Sequence, residues 1–350
     1  MLFARFVITI IVLEVHIMFK RLLSIIFVAV FFMVFSLPQA KADEKNLIIA
    51  TATTGGTYYP VGVAIGTLIS IKLAKEHGIT ATAINSAGSG ENVQMLKNAE
   101  ADFGILQALF GLNAYRGNGP YEGNPVKDFR AVTMLWKNVE HFAIRDEYVK
   151  TGTIMDLKDF PAKFSIGKRG SGTEGSGRTI LKALGIEPEN LKLEYLGYNP
   201  SVQAMMDNRI GGANIPAGPP VAAITQLYAQ MGGEATVLDF TDEQLAKIRE
   251  SYPIWTRYVI EAGVYPGQKK PINTIAQPNL LVVRKGLPEE VVYLVTKTIY
   301  ENLPFLNNIH KATKAMSLQE ALDGLPVPLH PGAVRYYEEA GLDIPDELRE

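Results

Sequence analysis

From Asn46 onward, short runs of apolar and β-branched residues alternate with helical stretches, and turns dense in glycine and small hydroxyls join strand to helix. Leu47–Ala52 leads through Thr53-Thr54-Gly55-Gly56-Thr57-Tyr58-Tyr59-Pro60 into a helix predicted to reach about Ala74. Val61, Ala64, Ile65 and Leu68 share one face of it. Pro60 suits the first turn, where its missing N–H is not needed. Thr80–Asn85, then Ser86-Ala87-Gly88-Ser89-Gly90 and a helix to Asn98, form a second unit, and Phe103–Gln107 a third strand. This βαβαβ order predicts a parallel sheet with right-handed crossovers.

The pattern then repeats. Phe164–Gly167 precedes a glycine-rich loop and a helix from about Thr173 to Leu184, stopped by Gly185. Leu191–Leu196 is read as a strand, Pro200–Asn208 as a helix, and Gly212–Ile215 as a strand leading to Pro216-Ala217-Gly218-Pro219-Pro220 and another helix. Phe129–Trp136 and His141–Arg145 lie between the two units, and Asn279–Val283 and a helix over Glu289–Asn302 follow the second. The reading is an α/β chain of two lobes: residues 43–138 with 285–350 as lobe I, and 139–284 as lobe II. Crossings near 137–140 and 282–286 would make a hinge between the lobes and a cleft that closes.

The start of the chain reads as an export signal. Met18-Phe19-Lys20-Arg21 is basic, Leu22–Leu37 is uncharged, and Pro38-Gln39-Ala40-Lys41-Ala42 has a small-x-small cleavage pattern. Cleavage is expected after Ala42, making 1–42 the signal peptide, with Met18 the true start because Glu14 and His16 spoil the segment ahead of it. A membrane anchor is the alternative, but Leu22–Leu37 falls short of the roughly 20 residues that span a bilayer, so no stable membrane insertion is expected after cleavage. Losing four cations and one anion from a chain of formal charge −2 leaves −5. That balance lacks the basic face of a nucleic-acid binder. The chain has no cysteine, so neither disulfides nor lipid attachment at a thiol stabilise or anchor it.

Open parallel sheets bind ligands at the carboxyl ends of their strands. Four loops there are rich in glycine, hydroxyls and tyrosine: 53–59, 86–90, 167–173 and 217–219. Glycine lets ligand and backbone approach closely, and free N–H groups at a helix start favour an anion. Any one loop could be a plain turn; four, spread over both lobes, favour a site. In Tyr58-Tyr59, both rings could face the ligand, or one could pack beneath the loop. A rival reading is an NAD-binding oxidoreductase. Gly170-Ser171-Gly172-Thr173-Glu174-Gly175 matches GxGxxG, and Glu194 stands where a ribose-binding acid would. Against it, the unit does not begin a longer nucleotide-binding series, and export removes the chain from the nicotinamide pool. His77, His141, His310 and His330 show no metal-ligand spacing, so no metal site is expected. No acid/base pair or nucleophile motif stands out, so no enzymatic activity and no cofactor are expected.

The segment Thr54-Gly55-Gly56-Thr57-Tyr58-Tyr59-Pro60 after a first strand resembles the opening signature of the TAXI receptors, the solute-binding subunits of one branch of TRAP transporters. Ser86–Asn92, Asp102–Gln107, Gly170–Thr173, Ala217-Gly218-Pro219 and His330-Pro331-Gly332-Ala333 with Tyr336-Tyr337 follow in the family's order. The resemblance implies a type II periplasmic-binding-protein fold, a periplasmic location, and a small anionic solute such as glutamate, glutamine or a related dicarboxylate. It also implies a TRAP permease as partner, with fused membrane subunits. Docking to a histidine kinase as a sensor would use the same fold. The residues carried over as ligand contacts are Gly56, Thr57, Tyr58, Ser86, Ser89, Gln107, Ser171, Gly172, Thr173, Gly218 and Pro219. The family has small or proline residues where this chain has Lys168-Arg169, and Arg169, able to pair with a carboxylate through two bonds, is expected to read a second carboxylate. If so, Arg169→Ala lowers affinity for glutamate more than for glutamine; calorimetry showing equal affinities before and after would end that expectation.

Overall fold

Lys45–Ala50 (β1) lies between Ile79–Ile84 (β2) and Phe103–Gln107 (β3) and runs parallel to both, as the βαβαβ order predicts. A computed structural model describes residues 44–349 and, ahead of them, His16, Met18, Phe19, Lys20 and Leu22, which are helical and exposed. Residues 1–43 separate as a unit of their own from Glu44–Glu350. The expected leader and its cleavage point at Ala42 otherwise lie outside the described residues. Among the described residues, no helix is long and apolar enough to cross a membrane.

Two helices make the crossovers: α1 (Tyr58–His77) and α2 (Ser89–Lys97). Helix α1 ends at Gly78, whose φ of 66° is the left-handed conformation that stops a helix. Ala108–Arg116 (α3) follows β3 directly, a helix that the apolar pattern left unassigned. Two long strands then dominate: β4 (Phe129–Val139) and, far along the chain, β11 (Ile272–Arg284). They pair antiparallel along most of their length, and β11 also joins β3. Both run well beyond the predicted Phe129–Trp136 and Asn279–Val283. The extensions carry Asn138 and Gln277, polar residues that interrupt an apolar run without interrupting a strand. Thr256–Ile260 (β10) completes this sheet, in the order β10-β11-β3-β1-β2 with β4 on β11.

A second sheet has the order β7-β6-β8-β5-β9. Its strands are β5 (Phe142–Arg145), β6 (Lys163–Ser165), β7 (Lys192–Glu194), β8 (Gly212–Asn214) and β9 (Ala235–Val237). Around it fold α4 (Gly172–Ala183), α5 (Tyr198–Met206), α6 (Ala222–Met231) and α7 (Asp242–Ser251). The chain closes with α8 (Glu289–Glu301), α9 (Leu303–Ile309) and α10 (Pro331–Glu339). Helices α8 and α10 pack Val292, Ile299 and Tyr337 into the core of the first sheet.

Two further cores cover the second sheet, and its strands alternate between them: Phe142 and Ile144 enter one, Ala143 the other. The long strands serve all three cores. Met134, Leu135 and Trp136 belong to the first core and Val139 to the second; Leu280–Val283 belong to the first, Ile275 and Ala276 to the others. The change of core on β11 thus falls at 277–279, N-terminal of the expected crossing at 282–286, because the strand continues unbroken through the change.

Phe164 is fully buried, stacked on Phe142 with ring centroids 6.2 Å apart and edge-on to Phe160. Phe164→Ala should cost about 3–5 kcal/mol. Urea titration should show that loss as a lower midpoint with the slope unchanged.

Candidate functional site: a cleft rimmed by helix starts

Four strand-to-helix turns deliver helix starts to the same place. The first residues of α1, α2, α4 and α5 all open onto one cavity. Gly56, Thr57 and Tyr58 bring in α1; Gly88 and Ser89, α2; Ser171, Gly172 and Thr173, α4; Gly197 and Tyr198, α5. Gln107, which precedes α3, adds a fifth start. Helices α1 and α2 follow strands of the first sheet; α4 and α5 follow strands of the second. Of these four, α1, α2 and α5 begin without a side-chain cap, whereas the Ser171 hydroxyl accepts from the Glu174 N–H at 3.1 Å. Uncapped N–H groups and the positive ends of four helix dipoles make the cavity a place for negative charge. Lys168 is the charged side chain on its lining.

Of the expected contacts, Gly56, Thr57, Tyr58, Ser89, Gln107, Ser171, Gly172 and Thr173 line the cavity. The other four stand back from it. Ser86 stiffens the loop: its hydroxyl donates to Asn92 Oδ1 at 2.6 Å and accepts from the Gly88 N–H at 2.9 Å. Gly218 offers its carbonyl to the Thr57 hydroxyl at 2.8 Å, a buried bond between loops that follow strands of different sheets. A Cβ at Gly218 would meet the edge of the Trp136 indole at 2.5 Å, so glycine is required for that approach. Pro219 lies beyond, ahead of a cis bond to Pro220. Arg169 turns away from the lining: its guanidinium stacks 3.6 Å from the centroid of the Tyr195 ring, beside a second, wider cavity it shares with Glu174 and Arg178. Lys168, the residue before it, takes the place on the lining. Of the tyrosine pair, only Tyr58 lines the cavity; it packs edge-on to Trp136 and bonds Asn279.

Thr53 and Ala217, in two of the loops marked from the sequence, also line the cavity, as do Gly197, Tyr198 and Pro216, which lie outside those loops. The turn Leu196-Gly197-Tyr198 has the same strand-turn-helix form as the others, but one glycine gave it too weak a signal. The residues of the dinucleotide match have other partners. A Cβ at Gly175 would meet the Phe110 ring at 2.4 Å, so that glycine admits a side chain from α3, and Glu194 pairs with Lys163 Nζ at 2.7 Å.

Behind the cavity the long strands present buried polar groups. Glu140, just past β4, is fully buried and accepts from Asn214 Nδ2 at 3.0 Å. Among the described residues its Oε1 has no hydrogen-bond partner, nor do Asn214 Oδ1, Asn279 Nδ2 and the side-chain amide of Asn138. Burial pushes the Glu140 carboxyl up to about 8, against the pull of Asn214 and Ser176. Next to it His141, also fully buried, is driven down to about 4 by burial; its Nε2 meets the Tyr265 hydroxyl at 2.7 Å.

Several solved structures share this architecture. MatC from Rhodopseudomonas palustris, solved with bound malate, has a TM-score of 0.50 and 15% identity, over 85% of this chain and 96% of that one. PhnD1 from Prochlorococcus marinus, in complex with methylphosphonate, has a TM-score of 0.50 and 11% identity, over 78% and 91%. The periplasmic aliphatic sulphonate binding protein SsuA from Escherichia coli has a TM-score of 0.44 and 12% identity, over 84% and 83%. The fold is the two-lobed α/β fold of the periplasmic binding proteins. Residues 49–341 match the NMT1-like family, and the chain belongs to it.

Two outcomes follow from these contacts. Thr57→Val leaves the buried Gly218 carbonyl without its donor and should cost about 1–3 kcal/mol in chemical denaturation. Glu140 titrates from 4.5 in the unfolded chain to about 8 in the folded one. Between these values the folded state holds a proton the unfolded state has lost, so this contribution is fully present below the lower value and fades as pH rises through the upper one. Glu140→Gln carries no such proton. Its melting temperature should therefore gain on that of the native chain between pH 5 and 8.5, and parallel melting curves would contradict the assignment.

Proposed function

We propose that this chain is an extracytoplasmic solute receptor that captures a small anion by closing two lobes and delivers it to a membrane permease. The observation that carries this reading is the convergence of four helix starts, two from each sheet, on a cavity with Lys168 on its lining. Such a surface neutralises an anion without forming or breaking a covalent bond, so the protein acts by binding and not as an enzyme. Membership of the NMT1-like family agrees with it. MatC and PhnD1, of the same fold, hold malate and methylphosphonate, both anionic.

The finer reading is a TRAP receptor of the TAXI type, exported by its leader to the periplasm, whose ligand is glutamate, glutamine or a related dicarboxylate. The ordered motifs from Thr54 to Tyr337 support it. Lobe I comprises the first core with the C-terminal helices, and lobe II the other two cores. The crossings at 137–139 and 277–279 form the hinge. Ligand shifts the lobes toward the closed state by binding that state better.

The closed state brings glycine main chain against a backbone carbonyl at one point of the cleft and against a side-chain amide at another. A Cβ on Gly90, in α2, would stand 2.2 Å from the Gly170 carbonyl oxygen, and one on Gly55 the same 2.2 Å from Asn199 Oδ1. A thermal-shift screen of amino acids and dicarboxylates should find an anion that raises the melting temperature, because it binds the folded state alone. Lys168→Ala should weaken that anion more than Arg169→Ala does; the reverse order would restore Arg169 to the site. Gly90→Ala should leave the unliganded melting temperature near that of the native chain while abolishing the ligand-induced decrease in radius of gyration seen by small-angle scattering. Full compaction in that variant would rule out closure at this contact.

A further inference from the structure

The anion pocket has an acid at its back. Glu140 joins β4 to β5 where the strands pass from the first core to the others, and its carboxyl is fully buried with no cation paired to it among the described residues. One oxygen takes a bond from Asn214 on β8. The other has no partner among the described residues. Val139, the residue before Glu140, exchanges backbone hydrogen bonds with Ala217 of the pocket lining at 3.0 and 3.1 Å, and the carboxyl's charge adds to the burial that raises the Tyr58 and Tyr198 phenols. Those two tyrosines line the pocket. Tyr198 donates to the Pro216 carbonyl at 2.6 Å and meets the Thr173 hydroxyl at 2.9 Å, bonds that fix its ring on the pocket wall.

An anion in this pocket and an ionised Glu140 would repel one another through a low-dielectric wall, where like charges interact most strongly. We infer that Glu140 makes capture proton-linked: the pocket accepts an anionic ligand only with Glu140 in its neutral form, so binding to the ionised protein takes up one proton from solvent at that carboxyl. This rests on the anion-receptor reading above and adds a pH dependence to it. The other groups facing Glu140 leave the linkage to it. Ser176 on α4 and Asn214 do not titrate. Tyr58 and Tyr198 are raised by burial above their usual range and stay protonated. His141, the next residue, is held down to about 4 and stays neutral. Lys168 stands on the lining as the ligand's countercharge.

The experiment is a calorimetric titration of the mature chain with succinate, whose two carboxyls are ionised throughout, between pH 6.5 and 9.5. Affinity should hold steady at the acid end and fall up to about tenfold per pH unit above about 8, the slope of one linked proton. In buffers of different ionisation heat, the binding enthalpy above that pH should report uptake of close to one proton. Glu140→Gln, which keeps the shape and the Asn214 contact, should bind succinate with a flat profile over the same range. A native profile without slope, or the same slope in the variant, would overturn the linkage while leaving the receptor reading intact. If neither succinate nor sulfate binds at any pH, the anion pocket itself falls and the linkage with it. An infrared band of a neutral buried carboxyl at pH 7, absent in Glu140→Gln, checks the protonation without any ligand; its absence from the native chain would also overturn the inference.

Discussion

Everything in this fold is arranged around the pairing of β4 with β11. These two strands contribute to cores on both sides of the cleft, and they pair antiparallel through the change of core. A strand pair bends and twists more readily than a packed core deforms. The cleft is therefore fixed in position by its backbone while remaining free to vary in width. The position also explains the chemistry. Where the strands leave one core and have not yet entered the next, no apolar layer exists to receive their side chains, and Asn138, Glu140, Gln277 and Asn279 occupy that gap.

The electrostatics of the cavity come mainly from the main chain. Four helix ends supply partial positive charge that has no rotamer to lose, and a single lysine adds a whole charge. The polar groups behind them work in the opposite sense. Tyr58, tied to Asn279, and Tyr198, tied to Pro216, are themselves the first residues of two of these helices, and the charge of Glu140 adds to the burial that raises their phenols. The result is a pocket whose front attracts negative charge and whose back is sensitive to it.

Much of this was readable from residue order. Short β-branched runs joined to amphipathic helices by glycine-rich turns identified two α/β units, and eight of the twelve expected contact residues line the cavity. The misreadings have physical causes. Residues 137–139 and 272–278 fall outside the predicted strands because burial and polarity usually exclude one another, and only the hinge position reconciles them. Arg169 was favoured over Lys168 on the chemistry of carboxylate recognition, yet its direction is set by the Tyr195 ring, a partner 26 residues away that no local pattern reveals. Gly197 and Tyr198 were missed because a turn with one glycine is indistinguishable from an ordinary connection. Glu140 gave no signal at all: an isolated acid between two strands reads as surface until the strands on either side are known to be buried.

The glycines at 55, 90 and 175 have a consequence for how occupancy is communicated. Where two surfaces meet through long side chains, the chains can refold to fill a partial gap, and the separation can vary by degrees. At Gly90 the partner is a backbone oxygen, at Gly175 the edge of the buried Phe110 ring and at Gly55 the short amide of Asn199, so no long side chain lies between. Intermediate widths would lose the contact without gaining another. Such a joint behaves like a switch with two stops, so a docking protein that touches both halves at once would be presented with either of two outlines and could tell a loaded molecule from an empty one by shape alone.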